Sequence, residues 1–146
     1  MILGRYGLSG LGSSPFAMSR TLTLPNGFEI HVELAIEPEE LTRGLMFRER
    51  LAMDEGMLFV HPSVGLYPIW MRNTLIPLDA IWMSPDGTIV EMAPGAQPCK
   101  SDDCPHYGGT KQCSLTLEVA AGTIRRNGLK VGQRIIMMKP AVVEHG

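Results

Sequence analysis

Trp70, Arg72, Asn73, Thr74 and Asp79 crowd one stretch of an otherwise apolar segment, and Arg43 precedes them in a segment with helical signals. A guanidinium is a planar fork for carboxylate or phosphate, Asn, Thr and Asp recognise hydroxyls, and an indole stacks on a sugar or aromatic ring. Together the six residues compose a candidate pocket for a small polar or anionic ligand. The competing reading is structural: Asp79 pairs with an Arg, while Asn73 and Thr74 satisfy backbone groups at a turn before Pro77. An enzyme acting on such a ligand would use Asp79 as general base, with Asp54, Glu55 or Glu118 as a second carboxylate, because acid and base roles need carboxyls in different environments. The spacing selects no such pair.

Cys99, Cys104, His106 and Cys113 share one loop in the order Cys-x4-Cys-x1-His-x6-Cys. Thiolates and imidazole suit zinc or copper(I), yet the paired Cys-x2-Cys spacing of a strong zinc motif is absent. Three states therefore stay open: a Cys99 to Cys104 disulfide with Cys113 free, three free thiols, or a metal site through the Cys99 to Cys113 loop. Ten methionines raise the question of a soft-metal site. Met46, Met57, Met83, Met137 and Met138 lie in apolar segments, however, where Met is an adaptable core filler. Of the four histidines, His31 falls on a solvated strand face, His61 precedes a turn and His145 sits in the tail, so only His106 has chemical company.

The elements that must position these groups read as strands. Leu22, Leu24, Phe28, Ile30, Val32, Leu34 and Ile36 alternate at period two around Pro25-Asn26-Gly27, which predicts a hairpin with Glu29, His31 and Glu33 on its wet face. Pro38-Glu39-Glu40-Leu41 changes the period and opens a helix to about Met46, with Arg48 and Arg50 suited to its negative end. Gly44 within that helix implies something packed closely over it. Met57 to Val60 is short and uniformly apolar, as in a strand covered on both faces. Pro62 to Gly65 reads as a turn, followed by Ile69-Trp70-Met71, a strand from about Leu78 to Met83 and a turn at Pro85-Asp86-Gly87. Thr88 to Met92 completes a second hairpin, and residues from Pro94 to Gln112 form a long loop. Leu115, Leu117 and Val119 alternate, a short helical turn follows at Arg125-Arg126, and Gln133 to Met138 is the last strand. The fold class is mainly β: a compact barrel or sandwich of six or more strands with one or two short helices.

The chain has 146 residues, 45% of them hydrophobic and 19% charged, which fits one ordinary globular domain with its own core. Residues 1–17 are broken by Gly, Ser and Pro before an apolar signal core can form; they read as a flexible leader and a poor secretion signal, with the domain over 18–146. A net charge of -2 from mixed signs leaves no broad basic field for nucleic acid. Nowhere is there a run of about 18 to 20 apolar residues, so a membrane-spanning helix is not expected and the chain reads as soluble. No phosphate loop, dinucleotide fingerprint, Gly-x-Ser-x-Gly or His-Glu-x-x-His occurs, so hydrolase, kinase, dehydrogenase and zincin readings lack their mechanical parts and no cofactor is called for.

Three blocks recur together in one known arrangement: Arg43-Gly44-Leu45-Met46-Phe47-Arg48, Gly56-Met57-Leu58-Phe59, and Trp70-Met71-Arg72-Asn73-Thr74-Leu75-Ile76-Pro77-Leu78-Asp79. In that order they resemble the signature of domain-of-unknown-function family 192, and Ala96 to Cys99, Cys104 to Tyr107 and Leu117 to Gly122 extend the likeness over about Leu24 to Met138. The resemblance implies a compact, mainly β fold with short helices and carries no activity with it. Many members of that family begin with an export segment, from which this chain departs. The function expected from the residues is therefore a noncatalytic binding module for a small polar or anionic ligand, with the enzyme and the metal-binding loop as alternatives.

Overall fold

The computed structural model describes residues 18–138; the leader expected over 1–17 lies outside them, as do the last eight residues. Nine strands and two short helices follow in the order β1 (Ser19–Thr23), β2 (Glu29–Ala35), α1 (Pro38–Arg43), β3 (Glu55–Gly65), β4 (Ile69–Trp70), β5 (Leu78–Met83), β6 (Ile89–Ala96), β7 (His106–Tyr107), β8 (Cys113–Ala120), α2 (Thr123–Arg126) and β9 (Ile136–Met138). Seven strands form one curled half-barrel sheet in the order β6-β5-β8-β3-β2-β1-β9, and β4 with β7 makes a small second sheet. The chain is mainly β, as its alternating patterns predict.

The opening hairpin closes where Asn26 and Gly27 stand. Gly27 takes φ 91°, which a Cβ would disfavour, and the Asn26 side chain accepts the Phe28 N–H at 3.0 Å. Alternation then sends Ile30, Val32 and Leu34 to one face of the sheet, with Leu58 from β3, Leu115, Leu117 and Val119 from β8, and Ile81 and Met83 from β5. Each such side chain, fully buried, contributes roughly 1.5–3 kcal/mol. The opposite face carries a second cluster of Ala35, Met57, Phe59, Leu45, Met71, Leu78 and Ala96. Both faces of the central strands are thus covered.

Several boundaries differ from the sequence reading. α1 stops at Arg43, not Met46, because Gly44 leaves the helix at φ 48° under the Phe59 ring, 3.0 Å from where a Cβ would stand. The close approach implied by that glycine is therefore made by Phe59. β3 runs on through Pro62 to Gly65, where a turn was expected; its pairing with β2 has ended at Phe59 and a bulge interrupts its pairing with β8 between Val60 and Gly65, so Pro62 has no ladder bond to lose. The long loop is also shorter than expected: β6 continues to Ala96, and His106 and Tyr107 pair with Trp70 and Ile69. Glu33 lies on no wet face. It is 4% exposed, and Arg48 turns inward to it with two bonds of 3.0 and 2.8 Å rather than attending the helix end.

Candidate functional site

A strand puts neighbouring side chains on opposite faces, and this parity sorts the candidate carboxylates. Asp79 of β5 pairs in register with Val119 of β8, and both point into the face built by Ile81, Leu117 and Ile124. Glu118, one residue earlier, pairs with Met57 and points the other way. Asp79 is 1% exposed and accepts three backbone N–H groups: Gly95 at 2.8 Å on one oxygen, Gly122 at 3.1 Å and Ile124 at 2.9 Å on the other. It ties the β6 end and the start of α2 to the central sheet, with backbone donors where an Arg was the expected partner.

Over the Glu118 face opens a cavity of about 570 Å³. One wall is α1 and the turn after it, from Leu41 to Met46; the other is Tyr67, Pro68, Ile69 and Trp70; the floor is Phe59 and His61 of β3 with Thr116 and Glu118 of β8. Among the six residues singled out in the sequence, Arg43, Trp70 and Thr74 line this cavity, and Arg72, Asn73 and Asp79 do not. Arg72 lies over the Trp70 ring at 5.8 Å and pairs with Asp102 at 2.8 Å, while Trp70 stacks on His106. Asn73 takes φ 57°, its N–H donates to the Cys99 carbonyl at 3.0 Å and its carbonyl accepts the Phe47 N–H at 2.8 Å. Both residues hold the segment from Cys99 to Cys104 against the outer wall.

That segment is closed by a Cys99–Cys104 disulfide, one of the three states left open by the spacing, and Cys113 is the free, buried thiol. Burial pushes the Cys113 thiol up, so it stays protonated. With two sulfurs joined, the Cys99 to Cys113 loop lacks a ligand set for a metal; among the described residues no three His, Cys, Asp or Glu side chains converge.

Two groups of the floor stand outside the six: His61, which the sequence reading passed over, and Glu118, which it offered only as a possible second carboxylate beside Asp79. His61 donates or accepts at 2.7 Å to Thr116 Oγ1 and stacks on Tyr67 with ring centroids 3.7 Å apart. Its burial lowers its pKa to about 4, so the ring is neutral at physiological pH. Glu118 is 7% exposed, and burial pushes its carboxyl up to about 8. Every fully enclosed side-chain oxygen or nitrogen among the described residues has a partner. Glu118 makes no hydrogen bond or ion pair among them, so its oxygens are the ones that reach the cavity. In sequence Glu118 reads as an outward residue between Leu117 and Val119; the double cover of its neighbour β3 was the signal that this outward face is also interior.

A mainly β half-barrel with a short helix and an acid-floored cavity over its second face is the class of protein that these observations define. The chain belongs to domain-of-unknown-function family 192, described as Uncharacterized ACR, whose pattern matches residues 21–137. Two solved structures are similar to it. A candidate transcription regulator from Sinorhizobium meliloti 1021 is 33% identical, superposes with a TM-score of 0.75, and is matched over 86% of this chain and 98% of that one. A protein of unknown function from Novosphingobium aromaticivorans DSM 12444 is 33% identical with a TM-score of 0.72, over 81% of this chain and 83% of that one. No curated protein matches.

Proposed function

We propose that the chain is a binding module for a small polar ligand, seated in the cavity between α1 and the Tyr67–Trp70 wall. The observation that carries this reading is Glu118, a carboxyl buried at the floor of a cavity with no partner among the described residues. Its oxygens open onto the cavity and not onto protein donors, so a molecule seated there can bond to them directly. Phe59, Tyr67 and Trp70 add flat apolar surface, and Arg43 offers a charge at the mouth. A role on DNA, which the name of the Sinorhizobium meliloti neighbour raises, gains no support from a net charge of -2.

A second reading, an enzyme acting on the same ligand, is favoured by one property of the same group. A carboxyl held protonated to about pH 8, lining the same cavity as a neutral His61, has the character of a general acid, which makes Glu118 a better candidate than Asp79 for that role.

A thermal-shift screen of sugars, carboxylates, phosphates, amines and amino acids tests the binding reading, since a ligand of the native state raises its melting temperature. The expected result is a class of compound that shifts the wild type and not Trp70→Ala or Glu118→Gln. A wild type indifferent to every class overturns it. Turnover of the bound compound, abolished in Glu118→Gln with binding retained, establishes the enzyme.

A further inference from the structure

We infer that the ligand of this cavity is zwitterionic, with a protonated amine set against Glu118 and an anionic group toward Arg43. The inference rests on the binding reading above and goes on to name what is bound. Its first ground is a contrast within one row of the sheet. Glu33, Met57, Glu118 and Ala80 stand in register on adjacent strands, on the same face. The fold brings the Arg48 guanidinium to Glu33 and, among the described residues, no cation to Glu118. A cation that would complete the second acid has room to enter, since the space beside it is a cavity.

The second ground is the placement of charge along that cavity. An ammonium at the floor would meet the Glu118 carboxyl, which ionises against it, and an anionic group at the mouth would meet Arg43. Arg43 is exposed, lines the cavity, and its guanidinium has no hydrogen-bond or ion-pair partner among the described residues. A molecule carrying an amine at one end and a carboxylate at the other satisfies both groups in one orientation. Phe59, Tyr67 and Trp70 in the lining suit an ammonium and its carbon chain. The ionisable groups facing this space are Glu118 from β8, His61 and Tyr67 from β3 and the wall after it, and Arg43 from α1. His61 is neutral and bonded to Thr116, so it neither competes for the acid nor repels the amine. Seating an ammonium against a protonated Glu118 transfers that carboxyl's proton to solvent, and binding near pH 7 is accompanied by proton release.

The test is calorimetry and thermal shift on the full chain with leucine, phenylalanine, β-alanine and γ-aminobutyrate, each beside the matched carboxylate without the amine and the matched amine without the carboxylate. The expected result is binding of at least one zwitterion about tenfold or more tighter than either matched analogue, a difference of the size one buried ionic contact makes. Titration in two buffers of different ionisation enthalpy should show release approaching one proton in the wild type and none in Glu118→Gln. Arg43→Gln, at an exposed position that leaves the fold intact, should lose the preference for the carboxylate-bearing compound. If a matched carboxylate binds as tightly as its amino acid and Glu118→Gln binds it unchanged, the zwitterion inference fails and the binding reading stands. Binding of only sugars or phosphates in the wider screen likewise overturns the zwitterion and leaves the binding module in place. If nothing binds in either experiment, both fall.

Discussion

Asp79 and Glu118 are acids on adjacent strands of one sheet, one register step apart, and the fold treats them in opposite ways. Asp79 turns into the face built by Ile81, Leu117 and Val119 and meets three backbone donors that arrive from two separate chain segments. Glu118 turns into the face that stays open at one end and meets space. The first arrangement is what a carboxylate does when it holds a structure together: its acceptor sites are filled by N–H groups with no other buried partner. The second is what a group looks like when the fold keeps it available. Both are buried carboxyls on one sheet, so neither chemical type nor burial separates them; the presence of protein hydrogen-bond partners does.

The largest effect should come from the closed side. Asp79→Ala leaves three backbone donors without an acceptor, at about 1–3 kcal/mol each, so the chain should lose about 3 kcal/mol or more in urea unfolding at neutral pH. A loss below about 1 kcal/mol would erase the contrast between the two acids.

The open side should appear in the pH dependence of stability. Glu118 titrates at about 8 in the folded chain against 4.5 unfolded, so between those values the native state keeps a proton that the unfolded state has lost. Stability must then fall as pH rises, by up to about 1.4 kcal/mol per pH unit. His61 works in the other direction but only below 6.5, where the unfolded ring takes a proton that the folded ring accepts near 4. The window from about 6.5 to 8 therefore isolates Glu118. Urea midpoints measured across it should decline in the wild type and stay level in Glu118→Gln; a level wild type would mean that the carboxyl is solvated or paired.

A comparable or smaller change should follow opening of the disulfide. Cys99 and Cys104 are five positions apart, and closing so short a loop stabilises a fold by about 2 kcal/mol. Cys99→Ser with Cys104→Ser should lower the urea midpoint by that order, while fluorescence of Trp70, on the cavity side, changes before that of Trp82, buried on β5. Simultaneous change at both would show that the wall and the sheet are one cooperative unit.

The smallest effect sharpens the comparison most. At about pH 6 Glu118 is neutral, and Glu118→Gln exchanges one neutral hydrogen-bonding group for another of equal size, so stability should shift by less than about 0.5 kcal/mol. A large loss there would place Glu118 with Asp79 among the groups that hold the structure.

Most of the strands could be read from the chain because period-two alternation is a local signal: the hairpin at Asn26-Gly27, Leu78 to Met83 and Leu115 to Val119 all stand where their patterns put them. So does the family, through the three ordered blocks beginning at Arg43, Gly56 and Trp70. The site was legible only in part. Arg43, Trp70 and Thr74 meet at the cavity, but Arg72 and Asn73 belong to the wall behind it and Asp79 to the opposite face. Local sequence determines on which side of its own strand a residue points. It does not determine what covers that side, because the cover comes from segments far away in the chain: Gly122 and Ile124 over Asp79, Arg48 beside Glu33, and the empty space bounded by α1 and Tyr67 beside Glu118. Only the tertiary structure decides which buried acid is met by backbone donors and which faces a cavity.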